Sequence, residues 1–322
     1  MDQGFTDYVI TSMGPKTTPK ARRILSSLIQ HIHDFTRENN ITVDEWMYGV
    51  ELVNSIGQIS DAKRNEGILV SDVIGLEALV DTLTHSSDTV DHTSSAIIGP
   101  FYREDSPEYP KGGSVIQKDV GGEKTFVSGR ITDTVGNPLP GVKVEVWHCA
   151  PNGLYEQQDP DQPEYNLRGT FYSDEDGYYA FVGLRPTAYP IPYDGPAGKL
   201  LQVMDRHPMR PGHIHWRVTH PEYHSLITQI YDRECKYTAD DSVFAVKDDI
   251  IVDFIPAKKE LKEKGIQNEL HYDIALTLES RIQESRKRIH DAQNALEQKL
   301  MEKHSVAQNG AQNGTSAATA AS

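Results

Sequence analysis

The spacing of apolar residues changes once along this chain, and that change limits the folds it can adopt. In residues 18–86 the apolar side chains recur at helical spacing, for example at Ile24, Leu28 and Ile32. From residue 126 onward they alternate with a period of two, in short runs separated by Gly- and Pro-rich turns. Because no helical stretch separates these runs, we expect a mainly β protein: an antiparallel β-sandwich with a helical N-terminal region.

Helix-start signals and turn residues predict five segments. Thr18-Pro19 predicts the start of a first helix, Thr42 and Glu45 form a capping box for a second, and a third is expected from Ile68 to Leu83. The expected segments are an N-terminal arm (1–17), a helical domain (18–96), a β-sandwich domain (97–273), a C-terminal helix (274–304) and a disordered tail (305–322). The tail has no charged residue and too few apolar residues to form a core.

Composition excludes several classes of function. Lys and Arg total 32 against 47 for Asp and Glu, a net charge of −15, which argues against nucleic acid and anionic membrane as partners. No apolar run approaches the roughly 20 residues of a membrane-spanning helix, and the N-terminal residues lack the pattern of a secretory signal. Two cysteines are too few for a disulfide framework, so we expect a cytoplasmic protein. Tyrosine outnumbers phenylalanine, 15 to 8, which suggests a use for phenol oxygens.

His213 and His215 are the first candidates for a chemical role. On a strand they would point to the same side, close enough to bind one ion, while Ile214, Trp216 and Val218 form the opposite, apolar face. The spacing alone leaves open a pair of hydrogen-bonded surface histidines. It also identifies no further ligand, because Cys149 and Cys235 have no CxxC partner and no H-x-D or H-E-x-x-H motif accompanies the pair.

The Pro-rich loop from Tyr189 to Pro196 is the second candidate. Its prolines fix an extended backbone and would present Tyr189 with little rotational freedom. The alternative is an ordinary stiff connection between strands.

Five segments in order resemble the intradiol ring-cleaving dioxygenases, over roughly residues 20 to 280. They are residues 147–155 (WHCAPNGLY), 176–181 (DGYYAF), 189–201 (YPIPYDGPAGKLL), 206–216 (RHPMRPGHIHW) and 228–231 (TQIY). The resemblance implies an oxidoreductase with non-haem Fe(III) held by Tyr155, Tyr189, His213 and His215. Tyrosinate oxygen suits a hard ferric ion better than thiolate does.

The resemblance also implies the parts of a mechanism for cleaving an ortho-diphenol with O₂. Tyr189 is the ligand that leaves and accepts a substrate proton, while Arg210 and Gln229 line the substrate ring and stabilise developing negative charge. The remaining pocket residues that it implies are Leu69, Asp72, Ile98, Gly99, Pro100, Phe101, Ile191, Pro192 and Val246.

Asp72 and Phe101 resemble the members of the family that cleave hydroxyquinol (benzene-1,2,4-triol). A third ring hydroxyl needs a partner, which Asp72 could supply, so the expected substrate is hydroxyquinol and the product maleylacetate in its enol form. The alternative is catechol, which would give cis,cis-muconate. Either reaction belongs to aromatic compound catabolism.

The sequence also leads to expectations about assembly and to alternative functions. The resemblance implies a homodimer formed through the N-terminal helices, which could hold lipid between the subunits. Residues 128–181 also resemble transthyretin-like modules, so a noncatalytic β-sandwich binding module is an alternative. A zinc hydrolase built on the two histidines would lack a third ligand and a general base at usable spacing.

Overall fold

The computed structural model describes residues 3–85 and 92–292, and its contacts divide the chain into two compact units. The first unit, residues 1–59, contains α1 (Gln3–Thr11), α2 (Pro19–Glu38) and α3 (Val43–Ile59). The second unit begins at residue 60 and contains the remaining helices and the described strands. α1 lies within the segment expected to be an arm. The predicted domain boundaries, including the one at residue 96, stay predictions.

Both predicted helix starts in the first unit are confirmed. The Thr18 hydroxyl accepts a hydrogen bond from the Ala21 backbone N–H at 3.2 Å, with Pro19 as the first residue of α2. The Thr42 backbone N–H donates to the Glu45 carboxylate at 2.8 Å, and the Glu45 N–H donates to the Thr42 hydroxyl at 3.3 Å. At the start of each of these two helices, side chains thereby pair backbone N–H groups that the helix itself leaves unpaired.

The single third helix expected over residues 68–83 is wrong, because the chain forms two helices there. α4 (Glu66–Val73) ends and α5 (Leu76–His85) begins around Gly75, whose φ is +73°. That left-handed conformation suits glycine and breaks the helical path, and the Gly75 N–H donates to the Asp72 carbonyl at 2.9 Å. Leu69 and Asp72, which lie on α4 before the break, are buried.

Two five-stranded sheets and one short strand pair make up the β region. One sheet has the order β10-β11-β1-β12 with β4 also paired to β1, the other has the order β3-β2-β7-β8-β9, and β5 pairs with β6. The strands are β1 (Lys124–Asp133), β2 (Lys143–Trp147), β3 (Arg168–Tyr172), β4 (Tyr178–Leu184), β5 (Tyr189–Pro190), β6 (Met209–Arg210), β7 (His213–His220), β8 (Tyr223–Asp232), β9 (Ile251–Val252), β10 (Ile255–Pro256), β11 (Asn268–His271) and β12 (Ile274–Leu276). Further helices include α6 (Pro196–Val203) and α7 (Lys259–Lys262).

The sheets are mixed, so the expectation of a purely antiparallel arrangement is wrong. β1 pairs in parallel with both β11 and β12, and β8 pairs in parallel with β9. A parallel pair needs a connection long enough to return the chain to the same end of the sheet. Residues 233–250 provide this between β8 and β9, and most of the β region lies between β1 and β11.

Side chains from both sheets share one hydrophobic cluster, which fixes the orientation of β7. Ile214, Trp216 and Val218 lie in that cluster with Val127 of β1 and Phe181 of β4. Since side chains alternate along a strand, His213 and His215 lie on the other face of β7, as predicted. On that face a second buried cluster contains Leu69 of α4, Phe101, Tyr155 and Tyr189.

The C-terminal region differs from its prediction at its start. Residues 274–276 form β12, paired with residues 131–133 of β1, so the helix expected from residue 274 begins at 279 and is described as far as 292. The rest of that helix and the predicted tail lie outside the described residues.

Candidate metal centre and active site

The two histidines of β7 meet at their Nε2 atoms. Both are about 1% exposed, and the two Nε2 atoms lie 3.1 Å apart. The Nδ1 atom of His213 lies 2.8 Å from the Pro211 carbonyl, so Nδ1 carries the proton and Nε2 is unprotonated. Burial lowers the pKa of both imidazoles well below its usual value, and the Arg210 charge adds to this. Both rings are therefore neutral, the form that binds metal ions.

Two buried tyrosines converge on the histidines. The Tyr155 hydroxyl lies 3.1 Å from Nε2 of His215, and the Tyr189 ring lies 5.5 Å from the His213 ring and 5.7 Å from the Tyr155 ring, centroid to centroid. Burial raises the pKa of Tyr189 to about 12 and that of Tyr155 well above 10. Without a cation both phenols would remain protonated at neutral pH, whereas a bound cation would favour their ionisation.

Local backbone features place the tyrosines. Tyr189 of β5 lies directly opposite Arg210 of β6, so this short pair brings both side chains to the same place. Gly153 has a φ of +83°, and a Cβ there would lie 3.1 Å from Cβ of Tyr189. The absence of a side chain at residue 153 lets the loop carrying Tyr155 pass close to Tyr189.

The donor atoms fit a hard trivalent cation. Two neutral imidazole nitrogens and two phenol oxygens meet in a buried place, and two phenolates would balance most of a 3+ charge. Within residues 3–85 and 92–292, no group of three or more His, Cys, Asp or Glu side chains could hold a metal ion.

Arg210 is the centre of a buried polar network beside the histidines. Its guanidinium contacts both carboxylate oxygens of Asp241 at 3.1 Å and donates to the Gln229 side-chain oxygen at 2.9 Å and the Tyr231 hydroxyl at 3.0 Å. Its Nη1 also lies 3.1 Å from Nε2 of His213. Burial opposes the charge, but Asp241 keeps the pKa of Arg210 well above its usual value. Arg210 is a fixed cation at the site.

The sequence prediction missed Tyr231 and Asp241 as members of this network. Gln229 lies opposite His215 and Tyr231 opposite His213 across the β7–β8 pair. The two-residue spacing of Gln229 and Tyr231, next to the two-residue spacing of the histidines, was the available signal for Tyr231. Asp241 lies 31 residues after Arg210 on a different segment, and no spacing rule connects the two.

The predicted pocket residues surround the donors on the side of α4. Leu69, Phe101 and Ile191 are buried in the cluster that contains Tyr155 and Tyr189, and the Phe101 ring stacks on the Tyr155 ring at 4.4 Å. A Cβ on Gly99 would lie 3.4 Å from Cε1 of His215, so this loop passes directly over the histidine. Ile98 packs at the edge of the cluster.

Three other predicted pocket residues are Pro100, Val246 and Pro192. Pro100 lines a cavity of about 470 Å³ next to the site, together with Arg64, Tyr102 and Arg103. Val246 packs against the buried cluster but also borders a separate cavity. Pro192, which follows the buried Ile191, is half-buried.

Asp72 is a buried acid above the site. It is 2% exposed, and its Oδ1 has no hydrogen-bond partner. Burial, followed by a hydrogen bond to Glu77, raises the pKa of Asp72 to about 10, so the carboxyl is protonated at neutral pH. Glu77, which the sequence prediction missed, accepts the Ile98 backbone N–H at 3.0 Å and thereby joins α5 to the loop over the histidines.

Comparisons with known proteins identify the family of this chain. Residues 97–278 match the family model described as "Dioxygenase", and residues 18–92 match "Catechol dioxygenase N terminus". The chain is 59% identical over 292 residues to catechol 1,2-dioxygenase of Candida albicans, covering 89% of this chain and 96% of that protein. It is 36% identical to hydroxyquinol 1,2-dioxygenase of a Rhizobium species, covering 83% and 91%.

A solved structure supports membership of the same family. The hydroxyquinol 1,2-dioxygenase of Pseudomonas putida DLL-E4 superimposes with a TM-score of 0.77 at 35% identity, covering 85% of this chain and 98% of that one. The chain therefore belongs to the intradiol ring-cleavage dioxygenase family, and the predicted family is confirmed. None of the helices in the described part of the chain combines the length and apolar character needed to cross a membrane.

Proposed function

We propose that this chain cleaves catechol between its two hydroxylated carbons with O₂, giving cis,cis-muconate. The observation that carries the proposal is the 59% identity to a catechol 1,2-dioxygenase over 89% of the chain, against 36% for the hydroxyquinol enzyme of Rhizobium. These identities favour the catechol alternative over hydroxyquinol, the substrate expected from the sequence.

We further propose that Tyr155, Tyr189, His213 and His215 hold a non-haem ferric ion. The convergence of two neutral imidazoles and two phenol oxygens in a buried place supports this set. When bound, ferric iron supplies a Lewis acid that holds the diphenol oxygens and draws electron density from the ring.

The chain's own residues would position the diphenol and manage its protons. The Tyr189 phenolate oxygen accepts a proton from a substrate hydroxyl, a transfer favoured by the raised pKa of this buried phenol. The Arg210 guanidinium and the Gln229 amide line the ring and stabilise negative charge that develops on it. Leu69, Phe101 and Ile191 exclude water from the reacting atoms.

Hydroxyquinol is the second candidate substrate, and Asp72 favours it. Its protonated carboxyl is buried, and its Oδ1 has no partner. A third ring hydroxyl on the substrate would give that oxygen a hydrogen bond that catechol cannot make. The product would then be maleylacetate in its enol form.

Oxygen uptake distinguishes the two substrates. Iron-loaded protein is given catechol and hydroxyquinol at matched concentrations, with autoxidation subtracted, and we expect the higher kcat/KM with catechol. A higher value with hydroxyquinol would overturn the catechol proposal and keep the intradiol chemistry. No uptake with either would contradict both proposals.

Asp72→Leu tests the role of the buried acid in choosing between them. Because leucine has a similar size but no oxygen to accept a hydrogen bond from the third hydroxyl, kcat/KM for hydroxyquinol should fall about tenfold more than kcat/KM for catechol, the value of roughly one hydrogen bond. Phe101→Leu is measured with the same two substrates. Its matched control is Phe181→Leu, which makes the same change in the buried cluster between the sheets and so reports the effect of lost core packing. Equal losses for both substrates in Asp72→Leu would show that Asp72 does not select between them.

The assembly and the finer architecture remain proposals. We propose that the chain forms a homodimer through its N-terminal helices, with lipid at their interface, since Ile24, Leu28, Trp46 and Val53 of the first unit are exposed. The mass of a single chain in light scattering at micromolar concentration would contradict the dimer. We also propose that the two sheets pack as a sandwich around their shared cluster.

A further inference from the structure

The two histidines of the proposed metal centre are held by different kinds of contact. A metal-binding histidine usually donates its second ring N–H to a carbonyl or carboxylate, which fixes the orientation of the ring. His213 follows this pattern, because its Nδ1 lies 2.8 Å from the Pro211 carbonyl. His215 does not, since its buried Nδ1 has no hydrogen-bond partner.

An indole ring covers His215 instead. The rings of Trp147 and His215 are almost parallel, with an interplanar angle of 7° and centroids 4.7 Å apart. The two residues lie directly opposite each other in the antiparallel β2–β7 pair, so the sheet itself sets the stack. Trp147 is 2% exposed, and its indole N–H also has no partner.

Trp147 is itself held in place from the side of Tyr102. The Tyr102 ring lies 5.2 Å from the indole, and its hydroxyl accepts a hydrogen bond from Arg217 at 2.6 Å. Arg217 also binds the buried carboxylate of Glu145 at 3.1 Å. A chain of packed side chains therefore fixes the plane of the indole, and with it the plane of the imidazole.

We propose that Trp147 is the positioning residue for His215, and that ring stacking at this histidine replaces the usual hydrogen bond to the outer ring nitrogen. The inference rests on the proposed metal site. Stacking on the ring of residue 147 sets the direction in which His215 Nε2 points. An aromatic side chain at residue 147 should therefore preserve iron binding, and a non-aromatic side chain should weaken it. Lost partners of metal ligands typically cost 10- to 100-fold in metal affinity.

The test compares Trp147→Phe with Trp147→Leu. Phenylalanine keeps a ring that can stack, whereas leucine keeps apolar volume without one. Ferric affinity is measured by competition with a chelator, and we expect Trp147→Leu to bind about 10- to 100-fold more weakly than Trp147→Phe. Trp216→Phe and Trp216→Leu are the matched controls, because Trp216 is fully buried with an unpaired indole N–H but lies on the opposite face of β7.

A second measurement uses the metal-free protein. NMR of the His215 ring protons should show the upfield shift that a stacked indole produces, and that shift should be lost in Trp147→Leu and retained in Trp216→Leu. The positioning role would be overturned if Trp147→Leu and Trp147→Phe bound ferric ion equally well. It would also be overturned if Trp216→Leu lost as much ferric affinity relative to Trp216→Phe as Trp147→Leu loses relative to Trp147→Phe. A wild-type protein that binds no iron while the NMR shift is present would contradict the metal site and leave the stack established.

Discussion

Arg210→Lys is expected to lower kcat for catechol about 100- to 1000-fold, the usual cost of removing a fixed donor from developing negative charge. The guanidinium contacts Asp241 through two atoms while it also binds Gln229 and Tyr231. A lysine has the same charge but lacks the planar fork, so it cannot make these contacts together. Steady-state oxygen uptake gives kcat, and thermal unfolding shows whether the variant is folded.

Arg185→Lys is the matched control for Arg210→Lys. Arg185 also binds a carboxylate through two atoms, those of Asp232 at 2.6 and 3.1 Å, but it lies outside the site and is partly exposed. We expect kcat in Arg185→Lys to stay close to the wild-type value. If Arg210→Lys also retained kcat within about threefold, Arg210 would have no role in stabilising charge on the substrate.

Tyr189→Phe is expected to lower kcat about 100- to 10,000-fold, the range for loss of a positioned proton acceptor. The change removes the phenol oxygen, which is also a proposed ferric ligand, so kcat is expressed per bound iron, and the buried ring keeps its edge contact with Tyr155. Because burial raises the pKa of this phenol to about 12 when no cation is bound to it, its ionised form is then a strong base for a substrate hydroxyl. Single-turnover measurements with catechol separate this step from product release.

Tyr179→Phe controls for the loss of a buried phenol. Tyr179 is fully buried between the sheets, and its hydroxyl donates to the Tyr272 carbonyl, away from the site. This variant should lose stability without losing kcat. A Tyr189→Phe protein with near wild-type kcat would show that Tyr189 does not accept the proton of the substrate hydroxyl.

Patterns within one strand were predictable from the sequence, whereas contacts between distant segments were not. The alternation of His213 and His215 with Ile214 and Trp216 predicted which face of β7 carries the donors, and the structure confirms it. Spacing could not add Tyr155 and Tyr189 to the histidine pair, because they lie in separate segments of the chain. The Pro-rich loop made Tyr189 a candidate, but only the resemblance to a family identified Tyr155 and proposed both tyrosines as metal ligands.

The errors have local physical causes. The break between α4 and α5 depends on one residue, Gly75, in a window whose apolar spacing is otherwise continuous. The parallel pairs of β1 with β11 and β12 join segments far apart in the sequence, and a period of two is the same in parallel and antiparallel strands. Side-chain partners such as Asp241 for Arg210 depend on that pairing.

The choice of substrate shows a related limit. Asp72 and Phe101 suggest hydroxyquinol, while identity over most of the chain favours catechol. A single buried acid can add one hydrogen bond to a third hydroxyl, but the shape of the whole pocket also decides which ring binds. Asp72 could therefore accommodate hydroxyquinol in an enzyme whose main substrate is catechol.

Ferric titration of the metal-free protein, followed by visible absorption, tests the proposed centre most directly. Tyrosinate bound to ferric iron absorbs visible light, so the wild-type protein should develop a band that saturates at one ferric ion per chain. In Tyr155→Phe the band should be weaker and shifted, and in Tyr179→Phe it should match the wild type. A colourless wild-type protein, or a band unchanged in both Tyr155→Phe and Tyr189→Phe, would contradict the assignment of these tyrosines to the metal.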